Sequence, residues 1–136
     1  MANRRFTRTI VAGAIGAGGL IAAAPTTLAG AATPAAVVVN AKCSGSSMSN
    51  LQLQREDTGR LSVDFGVDMA RHKAGIQWRI SGTDNGTPFV NATVKTIRDG
   101  SFSVTRLLTP ATGINAVVAA ASNAATGETC SISGSI

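Results

Sequence analysis

The sequence predicts an all-β protein, an antiparallel β-sandwich of about seven strands that follows a removable N-terminal segment. Apolar and polar residues alternate with a period of two along most of the chain after residue 36, which is the pattern of half-buried strands. Turn-forming Asn-Gly, Asp-Gly and Thr-Gly pairs separate these stretches at short intervals. The length of 136 residues allows one such domain and the segment before it. A small closed barrel is the alternative architecture.

Residues 1–31 have the three-part layout of a secretory signal peptide. The first eight residues carry three arginines and no acid, and residues 10–24 form an uncharged apolar run. That run is shorter than the roughly 20 residues that span a bilayer as a helix. Ala29 and Ala31 supply the small side chains that signal peptidase requires, so we expect cleavage after Ala31, with cleavage after Ala32 as the alternative.

Cleavage at this position predicts a product that the general secretory route exports to the extracellular space. The sequence also argues against a lipid anchor, a membrane segment and nucleic-acid binding. Ala31 stands where a bacterial lipoprotein has its acylated cysteine, so we expect no lipid anchor. No second apolar run of spanning length follows, so we expect no membrane segment after cleavage. The mature chain keeps nine Lys and Arg against seven Asp and Glu without a basic stripe, which argues against nucleic-acid binding.

The two cysteines, Cys43 and Cys130, predict one structural disulfide. Export places them in an oxidising compartment, where two thiols in a small domain usually pair. A metal site would lack ligands, because the chain has no Cys-x-x-Cys motif and His72 is its only histidine. We therefore expect no metal and no cofactor. The disulfide closes a long loop, so we expect it to contribute about 4–5 kcal/mol to the free energy of unfolding.

The clearest strand covers residues 60–70, where five apolar side chains fall on one face and polar ones on the other. Residues 32–42 are predicted to be a flexible lead, so the sandwich domain is expected to cover residues 43–136. The predicted inward sets are Leu51 and Leu53; Leu61, Val63, Phe65, Val67 and Met69; Ile76, Trp78 and Ile80; Val90, Ala92 and Val94; Phe102 and Val104; and Cys130, Ile132 and Ile136.

Residues 114–125 allow two interpretations. The segment is rich in alanine, and its apolar positions fit one face of a helix that Thr112 caps and Gly127 ends. A strand interpretation places Ile114 and the alternate residues up to Ala120 on the inward face. We favour the strand, because the neighbouring strands need a partner and turn signals lie at both ends.

These elements resemble the small secreted immunoglobulin-like domains of high-GC Gram-positive bacteria. The resemblance is carried by Cys43, by the Ile76–Arg79 strand with its central Trp78, by the alanine-rich stretch 119–123, and by the Thr-Gly-Glu-Thr-Cys turn at 126–130. It covers residues 43–136 and implies export and an immunoglobulin-like sandwich, but no activity. Antibody domains differ, because they have a tyrosine corner and this chain has no tyrosine. We expect the bridge to tie the two terminal strands together.

The candidate contact loop is Arg71-His72-Lys73, which lies in the connection between two predicted strands. Trp78 is flanked by isoleucines at the second position on each side, so we expect it in the core rather than on a ligand. Three acids suggest a calcium site at first sight, but their spacing on extended chain favours a solvated face. These acids are Asp57, Asp64 and Asp68.

No set of residues in the sequence has the pattern of a known catalytic site. We therefore expect a non-enzymatic binding module that contacts a protein or a cell-envelope ligand, and no catalytic residue is assigned. One alternative is a secreted hydrolase that uses His72 with an acid. The other is an inhibitor of extracellular proteases that presents residues 70–75 or 109–114 as a rigid loop.

Overall fold

The computed structural model describes residues 35–136, which form two four-stranded antiparallel sheets and confirm the predicted all-β sandwich. Sheet A has the order β1-β2-β3-β6, and sheet B has the order β5-β4-β7-β8. The strands are β1 (Ala36–Lys42), β2 (Met48–Arg55), β3 (Leu61–Asp68), β4 (Gln77–Asp84), β5 (Thr87–Lys95), β6 (Ser101–Leu108), β7 (Ala116–Ser122) and β8 (Thr129–Ser135). The described part of the chain therefore has eight strands, one more than the sequence suggests.

The connections between strands fall at two opposite ends of the sandwich, because successive strands run in alternate directions. Residues 43–47, 69–76, 96–100 and 123–128 lie at one end, together with both cysteines. We name it the disulfide end. Residues 56–60, 85–86 and 109–115 lie at the other end, together with Arg55. We name it the arginine end.

The strand order differs from that of immunoglobulin domains. In those domains the third strand crosses to the second sheet. Here β3 stays beside β2 over eight residue pairs, and β4 is the first strand of sheet B. The chain then returns to sheet A with β6, which pairs with the free edge of β3. The result is a sandwich in which β1 and β8 lie along the same side.

The core lies between the sheets and is built by the inward-facing residues of the alternating strands. Trp78 of β4 is fully buried, and its ring centroid lies 6.0 Å from that of Phe102 on β6. Phe65 of β3 meets Phe102 edge to face at 6.3 Å. Such aromatic contacts add to the transfer free energy of burial and join the two sheets across the core.

The expected flexible lead over residues 32–42 needs correction. Residues 36–42 are part of the sandwich rather than a flexible lead over 32–42, because β1 pairs with β2 over seven residue pairs. Three consecutive valines hide the alternation in the sequence. In the structure Val37 and Val39 are half-buried against the core, whereas Val38 is 61% exposed.

Residues 116–122 form a strand, β7, as favoured, but the predicted inward face is wrong. Val117, Ala119 and Ala121 are buried, whereas Ile114 is 72% exposed and Val118 is 44% exposed. The alternation therefore has the opposite phase to the one the sequence suggested. Both phases of this alanine-rich segment are apolar, so the pattern alone could not select one.

Two buried asparagines set the phase of β7. Asn115 precedes the strand and Asn123 follows it, and both have their side chains on the inward face with 0% and 1% exposure. Asn115 Oδ1 accepts a hydrogen bond from Ala111 N–H at 3.0 Å, and Asn123 Oδ1 accepts one from Ala125 N–H at 2.9 Å. Each side chain thus satisfies backbone donors of the adjacent loop, which a one-residue slip would leave unpaired.

Candidate binding surface

The candidate contact loop lies at the disulfide end, in the connection between β3 and β4. All residues from 70 to 75 are exposed, so the side chains of Arg71, His72 and Lys73 face solvent. The backbone beneath them is held from behind by the β5–β6 turn of residues 96–100. The loop is therefore exposed in its side chains and fixed in its main chain.

Gly100 and Asp99 support the first half of this loop. Gly100 has a φ of +81°, and a Cβ added to it would lie 2.7 Å from the carbonyl oxygen of Arg71. Only glycine allows this approach of the two backbones. His72 Nδ1 lies 2.8 Å from the carbonyl oxygen of Asp99, which orients the imidazole along the turn.

Thr96 supports the second half of the loop. Its buried hydroxyl donates a hydrogen bond to the Lys73 carbonyl at 2.6 Å and accepts one from Ile76 N–H at 3.0 Å. Its own carbonyl accepts a hydrogen bond from Gly75 N–H at 2.8 Å. A single threonine therefore fixes three successive parts of the connection. This leaves little conformational entropy for the loop to lose when a partner binds.

The charges at the disulfide end carry the whole net charge of the described residues. Residues 35–136 contain nine Lys and Arg and seven Asp and Glu. The cations at this end are Lys42, Arg71, Lys73, Lys95 and Arg98, and the acids are Asp68, Asp99 and Glu128. The excess of two cations lies here, and the remaining charges balance.

The carboxylate of Asp99 is engaged in hydrogen bonds within its own turn. Its carboxylate accepts hydrogen bonds from the Ser101 hydroxyl at 2.5 Å and from Ser101 N–H at 2.9 Å. These bonds, the side-chain one first, hold the pKa of the Asp99 carboxyl below its usual range. The carboxylate thus stabilises the turn that carries the contact loop.

Glu128 has a structural role at the disulfide end that its residue type alone does not predict. Its carboxylate is buried and accepts hydrogen bonds from Ser47 N–H at 2.8 Å and from the Ser47 hydroxyl at 3.0 Å. A Cβ at Gly45 would lie 2.8 Å from Glu128 Cδ, so the 43–47 loop wraps closely around this side chain. The signal for this role was the Thr-Gly-Glu turn two residues before Cys130.

A polar groove of about 370 Å³ runs beside the contact loop at the disulfide end. It lies between the 44–47 loop, residues 69–71 and the 126–128 turn. At the same end, the disulfide joins Cys43 to Cys130 with a Cα–Cα distance of 4.3 Å. The Ser44 N–H also donates to the Thr129 carbonyl at 2.8 Å. The terminal strands β1 and β8 are thereby tied together at this end.

The other sequence candidates lie apart from this loop. Trp78 is buried in the core, as expected, and its Nε1 has no hydrogen-bond partner within residues 35–136. Asp57 lies in the β2–β3 turn at the arginine end, whereas Asp64 and Asp68 face outward on sheet A. Asp64 accepts a hydrogen bond from the Thr105 hydroxyl. The described residues contain no group of three or more His, Cys, Asp or Glu suited to a metal ion.

The two loops considered for a rigid inhibitory contact lie at opposite ends of the sandwich. Residues 70–75 belong to the disulfide end, and residues 109–114 belong to the arginine end. They therefore form two separate surfaces. Of the two, only the 70–75 loop presents a cluster of cationic side chains.

No protein-family model, curated protein or solved structure matches this chain. Ala29 and Ala31, with the rest of the predicted signal peptide, lie outside the described residues. Within residues 35–136, no helix has the length and apolar character needed to cross a membrane. The functional assignment therefore rests on the geometry of the described residues.

Proposed function

We propose that this chain is a secreted, non-enzymatic binding module of the extracellular space or cell envelope, which binds an anionic partner through the disulfide end. The observation that supports this most is the contact loop, where Arg71 and Lys73 are exposed on a backbone fixed by Thr96 and Gly100. A preorganised cationic loop loses little entropy on binding and attracts anionic surfaces at long range.

Secretion is supported by the leader-like residues 1–31 and by the bond between Cys43 and Cys130. Disulfides persist in oxidising compartments. There a disulfide stabilises a small domain by constraining its unfolded state. The test is the intact mass of the exported protein. We expect a chain that begins at Ala32 or Thr33 and carries no free thiol. A product that retains residues 1–31 would contradict secretion by this route.

The binding proposal is tested by comparing two charge-matched double variants on isolated cell envelopes. Arg71→Ala/Lys73→Ala removes two cations from the contact loop, and Arg60→Ala/Arg106→Ala removes two exposed cations away from the disulfide end. We expect the first variant to bind about fivefold more weakly at low ionic strength and the second to bind like the unmodified chain.

Raised salt should reduce this binding, because at about 0.1–0.15 M salt the attraction between exposed charges is largely lost beyond about 8–10 Å. Equal losses in both variants, or binding that salt does not alter, would contradict a contact made by this loop. Unfolding midpoints of the two variants provide the control for stability, since all four side chains are exposed.

A protease inhibitor is the second candidate, and the fixed backbone of the 70–75 loop favours it. Inhibitory loops resist cleavage because their main chain is held in one conformation, as Gly100 and Thr96 hold this one. Titration of the protein against trypsin-like enzymes, which cleave after Arg and Lys, tests this directly. Stoichiometric inhibition that Arg71→Ala/Lys73→Ala abolishes would favour the inhibitor over the envelope-binding module.

A further inference from the structure

The outer face of sheet B is composed of small hydroxyl-bearing residues around two cations. It carries Arg79 and Lys95, and none of its outward positions is an acid. We name this surface the hydroxyl face. Its outward residues are Gln77, Arg79, Ser81 and Thr83 of β4; Asn91, Thr93 and Lys95 of β5; Ala116, Val118, Ala120 and Ser122 of β7; and Thr129, Ser131, Ser133 and Ser135 of β8.

The strand register places these groups in two adjacent rows. The first row runs Thr93, Arg79, Ser122 and Thr129, and the second runs Asn91, Ser81, Ala120 and Ser131. Neighbours within a row are about 4.8 Å apart, and the rows are about 6.8 Å apart. Lys95 stands diagonally across from Arg79, at about 7–8 Å.

A shallow groove of about 590 Å³ follows the two rows across the sheet. Its polar lining consists of Arg79 and Asn91 and the hydroxyl-bearing residues Ser81, Ser122, Thr129 and Ser131. Ala120, Ala121 and Cys130 supply the apolar part of the lining. The groove therefore combines an apolar floor with hydroxyl groups, one amide and one guanidinium, which suits the mixed apolar and polar surface of a sugar ring.

The outer face of sheet A provides the contrast within the same molecule. It carries the two acids Asp64 and Asp68 against one cation, Lys42, together with the amide side chains of Asn40, Asn50 and Gln52. The hydroxyl face, in contrast, offers two cations without any competing acid. An anionic ligand is therefore favoured on the hydroxyl face.

We infer that the hydroxyl face binds a linear anionic glycan whose carboxylate or phosphate group contacts Arg79 and Lys95. A guanidinium binds either anion in a planar, two-pronged geometry. The serine and threonine hydroxyls of the two rows hydrogen-bond the sugar hydroxyls, because each can both donate and accept. The site lies on the face of sheet B and does not include the 70–75 loop, although Lys95 stands at its margin with the disulfide end, so the inference goes beyond the contact-loop function.

The test measures the affinity of the intact protein for four polymers. Polygalacturonate supplies carboxylates on a glycan, phosphomannan supplies phosphates on a glycan, dextran is an uncharged glycan, and poly-glutamate carries charge without sugars. We expect micromolar-range binding to polygalacturonate or phosphomannan and at least tenfold weaker binding to the other two. The stronger of the two charged glycans identifies the anionic group.

Two variants locate the site. Arg79→Ala/Lys95→Ala should weaken glycan binding about tenfold, whereas Arg60→Ala/Arg106→Ala, with the same loss of charge, should change it less than about twofold. Ser81→Ala/Ser122→Ala keeps both cations and should weaken binding to the glycan without changing the weak binding to poly-glutamate. All six side chains are exposed, so an unchanged melting temperature is the control for folding.

Four results would overturn the inference. They are no binding to either charged glycan, equal binding to poly-glutamate, an equal loss in the two charge-matched variants, and no effect of the serine pair. Arg71→Ala/Lys73→Ala tests the contact loop on cell envelopes, and Arg79→Ala/Lys95→Ala tests the hydroxyl face on glycans. Failure of the proposed function and failure of this inference are therefore distinguishable.

Discussion

The two ends of the sandwich are closed by different chemistry. At the disulfide end, the Cys43–Cys130 bond joins β1 of sheet A to β8 of sheet B. At the arginine end, the Arg55 guanidinium of sheet A donates hydrogen bonds to the carbonyls of Gly113 and Ile136, at 3.2 and 3.1 Å. The covalent closure needs no hydrogen-bond acceptor, whereas the closure by Arg55 depends on two carbonyl groups.

The arginine end depends instead on polar groups that are only partly compensated. Asp84 Oδ1 is buried and has no hydrogen-bond partner among residues 35–136. Burial raises the pKa of the Asp84 carboxyl, and the nearby Arg55 charge opposes that rise. At the disulfide end, in contrast, serine hydrogen bonds lower the pKa of Asp99. Acid therefore acts on the two ends in opposite directions.

The largest effect should come from removing the covalent closure. Cys43→Ser/Cys130→Ser is expected to lower the free energy of unfolding by about 4–5 kcal/mol, because the unfolded chain regains the entropy of a long loop. Urea unfolding at pH 7 measures this, with Ser46→Ala, at an exposed position of the same loop, as the control. A loss below about 1 kcal/mol would mean that the Glu128 contact with Ser47 closes this end without the disulfide.

The closure by Arg55 should contribute less. Arg55→Met keeps most of the side-chain length but leaves two carbonyls and Asp84 without their cation, so we expect a loss of about 2 kcal/mol. Arg60→Met, at an exposed position of the same end, is the matched control and should cost less than about 0.5 kcal/mol. Equal losses of unfolding free energy in the two variants would mean that Arg55 does not close this end.

Asp84→Asn tests the uncompensated carboxyl of the arginine end. The folded-state pKa is raised above 3.8, so the ionised form destabilises the native state at pH 7, and this cost disappears as the pH falls below 3.8. The variant should therefore be more stable than the parent chain at pH 7 and equal to it at pH 3. Urea midpoints at the two pH values measure this, and a variant less stable at pH 7 would contradict the raised pKa.

Asp99→Asn should have the smallest effect and the opposite sign. The folded-state pKa of Asp99 lies below 3.8, so its stabilisation is present above pH 3.8 and is lost as the pH falls through the folded value. Asn should remove that acid dependence and loosen the contact loop. Faster amide exchange at residues 71–75 is the measurement, with exchange in β2 as the reference. Unchanged amide exchange in the loop would mean that the Asp99 carboxylate does not hold the backbone that contacts His72.

The core of this fold was predictable where the sequence makes one face apolar and the other polar. β3 satisfies this condition, because its inward residues Leu61, Val63, Phe65 and Val67 are all buried, as is Met69 directly after the strand. β7 does not, because alanine and valine occupy both faces. Its phase depends on Asn115 and Asn123, whose burial follows from loops that hydrogen-bond to them. These hydrogen bonds span only four and two residues, but the period of apolar residues carries no information about side-chain to backbone bonds, so the pattern alone could not select the phase.

The binding surfaces were predictable only in part. The cationic segment at 71–73 is visible in the sequence, but its rigidity comes from Thr96 and Gly100, which lie more than twenty residues along the chain. The hydroxyl face is a product of register, since Arg79, Thr93 and Ser122 become neighbours only when three strands align. Alternation identifies outward residues, and strand pairing decides which of them meet.

The position of the sulfur–sulfur bond has a mechanical consequence. β1 and β8 both extend from the arginine end toward the bond at the far end. Tension applied to residues 36 and 136 would peel these two strands from the sheets one residue pair at a time. The peeling would stop at Cys43 and Cys130, where the load passes through the covalent link. The remaining strands, with the contact loop, would bear no force.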